Sequence, residues 1–132
     1  MEQIRFITPL GEIIAELRRD LSPRTVENIL KALPMKYKVI IYVWGEEIFF
    51  FLPDYDFLKT IGYENALTEL EISDVAFWPK DHACCLFFGK TPMSIGNKPV
   101  AAEPVNVFAK IIQGFEILPK LKKGDLILME KI

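Results

Sequence analysis

Lys36-Tyr37-Lys38-Val39-Ile40-Ile41-Tyr42-Val43-Trp44-Gly45-Glu46-Glu47-Ile48-Phe49-Phe50-Phe51-Leu52 is the stretch on which the reading of this chain turns. β-Branched and aromatic residues fill both halves, a composition suited to strands. Gly45 interrupts them with the residue type that bends most freely. The segment reads as two strands, over 36–44 and 46–52, joined at a hairpin or a barrel corner. Alternation sends Phe49 and Phe51 to one face and Phe50 to the other, so these aromatics cannot all line one groove.

Before this stretch, residues 2–8 alternate, Pro9-Leu10-Gly11 supplies a turn, and 12–18 alternate again, which predicts an antiparallel hairpin. The period then changes. Ser22 is a good N-cap and Pro23 suits the first helical position. Val26, Ile29, Leu30 and Leu33 follow as one helical stripe, and Pro34 ends it.

After the stretch comes a looser region over 53–70. Short strands are predicted over 74–78 and 83–88, with Pro79-Lys80-Asp81-His82 as their turn. The residues from 89 to 104 carry four prolines and glycines in addition to Gly89 itself (Pro92, Gly96, Pro99 and Pro104) and read as a long, functional loop. A strand over 105–112, a short helix near 115–121, a Gly124-Asp125 turn and a last strand over 126–132 complete the chain. No repeat or linker divides it, so residues 1–132 read as a single domain. About eight short strands with two helices point to a mainly β fold, a closed barrel whose open ends the helices cap.

The totals exclude several classes. With 16 basic and 18 acidic residues there is no basic surplus, which argues against nucleic acid as a partner. Glu2, Arg5 and Pro9 interrupt the N-terminus where a signal peptide needs an apolar run. No stretch approaches the roughly 20 apolar residues that span a bilayer. A soluble, cytoplasmic protein is expected. Glutamine occurs only at Gln3 and Gln113 while lysine, glutamate and isoleucine abound, a balance seen in heat-adapted proteins. Cys84 and Cys85 are neighbours on a strand, so they face opposite sides and are expected to be reduced.

Four motifs carry a resemblance. They are Trp44-Gly45-Glu46-Glu47-Ile48-Phe49-Phe50, Ser73-Asp74-Val75-Ala76-Phe77-Trp78-Pro79, Phe87-Phe88-Gly89-Lys90-Thr91-Pro92-Met93-Ser94, and Asn106-Val107. Their order resembles a family of small archaeal and bacterial cyclophilin-like barrels, largely of unassigned function. Thr25, Glu27 and Asn28 resemble the wording of the first cyclophilin helix, and the run from Val105 to Leu118 resembles a late cyclophilin strand and helix. Ser73 and Lys90 depart from the glycine and proline the smaller family often has. Cyclophilin isomerases carry a catalytic arginine on the strand after the first helix, and residues 36–44 contain none. The resemblance therefore implies a fold and a groove more than it implies isomerase chemistry.

Prolyl isomerisation requires an apolar wall for the ring and a donor near the amide. Phe49, Phe51, Phe77, Phe87, Phe88 and Trp78 are candidates for the wall. Lys36 and Lys38 are the cations on the strand, but lysine lacks the planar fork of arginine. Trp44 and Trp78 abut turns where a barrel rim is expected. Glu46 and Glu47 face opposite ways and form no dyad; the resemblance places an acid at that corner, and Glu46 is taken as the candidate. The neutral polar candidates are Thr91, Ser94, Asn97 and Asn106, with Phe87 and Phe88 beside them. His82 and the nearby cysteines lack metal-ligand spacing, so no metal or cofactor is expected.

These residues leave three functions open. The leading expectation is a module that binds a small molecule or an extended, proline-containing peptide in a rim groove, with homodimerisation as an accompanying possibility. The second is a weak prolyl isomerase or folding helper. The third is an acid–base enzyme, which requires a carboxyl with a perturbed pKa inside the pocket.

Overall fold

The structure, a computed structural model, describes residues 2–132. Its strands are β1 (Gln3–Thr8), β2 (Gly11–Leu17), β3 (Val39–Ile40), β4 (Tyr42–Val43), β5 (Glu47–Phe51), β6 (Leu67–Glu69), β7 (Asp74–Trp78), β8 (Ala83–Phe87), β9 (Val100–Gln113) and β10 (Leu126–Lys131). Helix α1 spans Pro23–Lys31, α2 spans Asp56–Lys59, and a 3-10 helix spans Phe115–Lys120. No helix among the described residues is long and apolar enough to cross a membrane.

The strands follow the order β3-β10-β1-β2-β9-β7-β8-β5-β4, with β6 paired to β9 off this path. The ladder is not closed by hydrogen bonds: it ends at β3 and at β4. Those two ends are halves of one run, residues 39–43, interrupted only at Ile41. Covalent continuity thus brings the two edges of the sheet together, where a further ladder was expected. Taken as one bent strand, with β6 set aside, the run leaves the eight-strand barrel that the turn spacing predicts.

Pleating sorts the side chains into two clusters. Ile4, Phe6, Ile13, Ile48, Phe50 and Phe77 are fully buried in the interior. Val26 and Ile29 of α1, Leu58 of α2 and Leu118 of the 3-10 helix join the same cluster, which is how the helices cap the barrel. On the opposite face of the same strands, Ala76, Cys85, Phe87 and Val107 pack against Leu70, Ala101 and Val105. Cys84 is interior and Cys85 is on the outer face; both are free.

Two expectations need correction. β9 begins at Val100, so the irregular loop is shorter than the proline content suggests; Pro104 lies in the strand at a register shift between β6 and β9. Ser22 occupies the N-cap position of α1, but its side chain makes no capping bond, and its hydroxyl is buried without a partner. Glu64 supplies the cap instead. Its carboxylate accepts from the amides of Arg24 (2.9 Å) and Thr25 (2.8 Å) and from the Thr25 hydroxyl (2.8 Å). Burial works against the charge, but these donors and the Arg24 guanidinium hold the carboxyl below its usual range. An anion there also complements the positive end of the helix.

Asn106 ties this cap to the barrel. Its side-chain oxygen accepts from the Glu64 amide (2.8 Å), while its nitrogen donates to Thr25 Oγ1 (3.1 Å) and to the Gly62 carbonyl (2.9 Å). The residue is fully buried. Asn106→Ala strands these partners, so the urea midpoint should fall by the equivalent of about 3 kcal/mol with the slope unchanged. A change near zero would mean that the network is dispensable.

Candidate functional site

The chain makes a two-residue loop at Gly45-Glu46. Trp44 donates its amide to Glu47 (2.9 Å), and Glu47 donates back to Trp44 (3.2 Å). Gly45 takes φ +60°, and a glycine in this first position suits a two-residue hairpin. A Cβ there would also come within 2.9 Å of the Lys90 carbonyl and Thr91 Cα. Trp44 and Glu47 consequently stand opposite each other across the hairpin, on one face of the sheet. Phe49 follows two residues later on that face.

These three residues meet Trp78 from β7, Cys85 from β8 and Glu103 from β9 around a cavity of about 200 Å³. The cavity lies on the outside of the barrel, walled by the outer cluster and by the first residues of β9. Phe49 meets Trp78 edge to face at 6.1 Å, and Tyr42 stacks on Phe49 at 5.4 Å. Glu103 fixes the Trp78 wall: its Oε1 accepts from the indole Nε1 at 2.9 Å while its Oε2 accepts from Lys80 at 3.1 Å.

Glu47 is 5 % exposed, and no ion pair reaches it among the described residues. Burial pushes its carboxyl up to about 7, against a smaller opposing effect of the Cys85 thiol. Cys85 is itself raised well above the usual thiol range by burial and by the neighbouring acid. It is therefore a protonated donor rather than a nucleophile. The arrangement can surround a ring, exclude water from it, and hold or accept one proton near neutral pH.

Of the residues singled out from sequence, Trp44, Phe49 and Trp78 line this cavity, whereas Phe51 is exposed outside it and Phe77 lies in the interior core. Glu46 does not line it: it is exposed, and its carboxylate accepts from the Lys90 amide at 3.1 Å. Phe87 lies beneath the site in the outer cluster, while Phe88 packs on the interior cluster. Thr91 and Ser94 order their own loop, Thr91 donating to the Val100 carbonyl (2.5 Å) and Ser94 to that of Lys98 (2.7 Å). Asn106 serves the helix cap, and Asn97 is exposed. Lys36 and Lys38 are exposed and outside the cavity. Sequence reasoning weighed Glu46 and Glu47 together and took Glu46, gave Cys85 no role in a site, and passed over Glu103. Glu47 did carry a signal: it shares a strand face with Phe49.

The raised Glu47 carboxyl has a consequence for stability. The folded state holds a proton there that the unfolded chain has lost, between the ordinary value of 4.5 and about 7. Stability from this group is complete below pH 4.5 and declines as pH rises through 7, by roughly 3 kcal/mol. Glu47→Gln should remove that decline when urea midpoints are compared from pH 4.5 to 8. Parallel profiles for the two proteins would show that Glu47 does not titrate differently on folding.

Comparison with known proteins agrees with this fold. No curated protein matches the chain. The solution structure of a hypothetical protein from Archaeoglobus fulgidus is 32% identical, covering 99% of this chain and 95% of that one, with a TM-score of 0.81. A structure of McbB in complex with tryptophan shares the fold at 12% identity and a TM-score of 0.67, covering 96% of this chain and 44% of McbB. The model of the cyclophilin-like family matches residues 2–130, and the chain belongs to that family.

Proposed function

We propose that this protein binds a small ring-bearing molecule on the outer face of its barrel, between Trp44, Phe49 and Trp78. The observation that carries the reading is the cavity itself. Its lining is mostly apolar, and one of its walls is held in place by a hydrogen bond from an indole to a paired carboxylate. At about 200 Å³ it is smaller than the roughly 300–1,000 Å³ usual for drug-sized ligands, which favours one ring or a fused pair with a short substituent. McbB, a neighbour in fold, is known in complex with tryptophan, a ligand of that general size. The buried carboxyl of Glu47 supports a second reading, in which it exchanges a proton with the bound molecule. Isomerase chemistry has less support, because no lysine or arginine lines the cavity.

The test is a titration of the protein with a library of one- and two-ring compounds, followed by NMR at the indole N–H signals of Trp44 and Trp78. Binders should move both signals, and Trp44→Ala should weaken binding by about tenfold or more. A library that leaves both signals in place sinks the reading. Xaa-Pro peptides in parallel samples should show no faster cis–trans exchange; acceleration lost in Trp44→Ala would restore the isomerase alternative.

A further inference from the structure

Among the described residues, two acids and no cation line the cavity. They are not equivalent. Glu103 is already committed, with one oxygen on Trp78 Nε1 and the other on Lys80 Nζ. Glu47 is deeper, lacks an ion-pair partner among the described residues, and has the Cys85 thiol as its polar neighbour. A buried carboxyl without a cation is costly to ionise, and nothing in the hairpin requires an acid at that position. The rings that line the cavity with it are Trp44, Phe49 and Trp78. The faces of such rings attract cations, as a carboxylate does.

We propose that the ligands of this cavity are small ring-bearing amines, bound as ammonium ions with the Glu47 carboxylate as counter-ion and the aromatic walls around the ring. The inference rests on the binding reading above and narrows it to one chemical class. A carboxylate ligand would meet Glu47 with no cation beside it among the described residues, since Lys80 is already paired with Glu103. A neutral ring would keep the apolar contact and forgo the ion pair.

Binding of this kind exchanges a proton. In the empty cavity below about pH 7 Glu47 is protonated, and an arriving ammonium displaces that proton to solvent. Other groups face Glu47 from the elements packed around it. Cys85 on β8 is protonated throughout this range, Glu103 on β9 is paired, and Trp44 and Trp78 do not ionise. Glu46, next in the chain, turns to the Lys90 amide. Affinity should therefore rise about tenfold per pH unit up to about 7 and level off above it.

The closing experiment uses calorimetry on the full chain with three probes of matched shape: 2-phenylethylamine, 2-phenylethanol and phenylacetate. The amine should bind roughly ten- to a hundred-fold more tightly than the alcohol, and phenylacetate should bind worst. Titrations at pH 5.5, 6.5 and 7.5, in buffers of different ionisation heat, should register proton release that fades above 7. Glu47→Gln should bring amine and alcohol to similar affinity. Equal binding of amine and alcohol to the unaltered protein overturns this inference and leaves the cavity reading standing. Failure of all three probes, together with a silent compound library, overturns both. If Glu47→Gln does not fold, the amine-to-alcohol ratio and its pH dependence in the unaltered protein decide the matter.

Discussion

Ile41 donates its amide to the Asp125 carbonyl at 2.9 Å and accepts from the Gly124 amide at 3.0 Å, and on either side of it the chain changes partners. Val39 and Ile40 pair with β10; Tyr42 and Val43 pair with β5. One bent run of five residues thus belongs to both edges of the sheet. With its edges joined through the backbone, the sheet has a definite inside and outside, and pleating assigns alternate residues to each. The interior holds the closed apolar core. The outer face, partly covered by β6 and the start of β9, is left to enclose a cavity.

The hairpin that follows this bend builds one side of the cavity. Because its loop has two residues, Trp44 and Glu47 are opposed; because β5 alternates, Phe49 joins them while Ile48 and Phe50 enter the core. The Glu103 carboxylate then fixes the Trp78 ring by accepting from its indole nitrogen, whereas the hairpin sets the backbone position of Trp44. An indole held in this way requires little reordering on contact with a ligand.

Much of this was legible in the sequence. The change of period at Ser22, the glycine at 45 and the alternation around Cys84 and Cys85 each fixed an element or a face from local rules alone. What escaped depends on residues far apart in the chain. Glu64 caps a helix some forty residues earlier, and its loop offers no local sign of that role. Pro104 resembles a loop residue until the register shift beside β6 accommodates it. Asn106 reads from the sequence as a polar candidate for a ligand site, yet its three bonds are made to partners that only the fold brings near. The distinction between Glu46 and Glu47 lay within reach of the pleat, but the resemblance drew attention to the corner rather than to the face.

The separation of faces along β5 and β8 also bears on how such a chain changes over generations. Neighbouring codons answer to different demands: Ile48 and Phe50, or Cys84 and Leu86, keep the barrel folded, while Glu47, Phe49 and Cys85 line the outer cavity. Substitutions on the outer set can accumulate without disturbing the inner one. A single scaffold is then free to diverge in ligand while its core wording persists, so relatives sharing this barrel need not share a substrate.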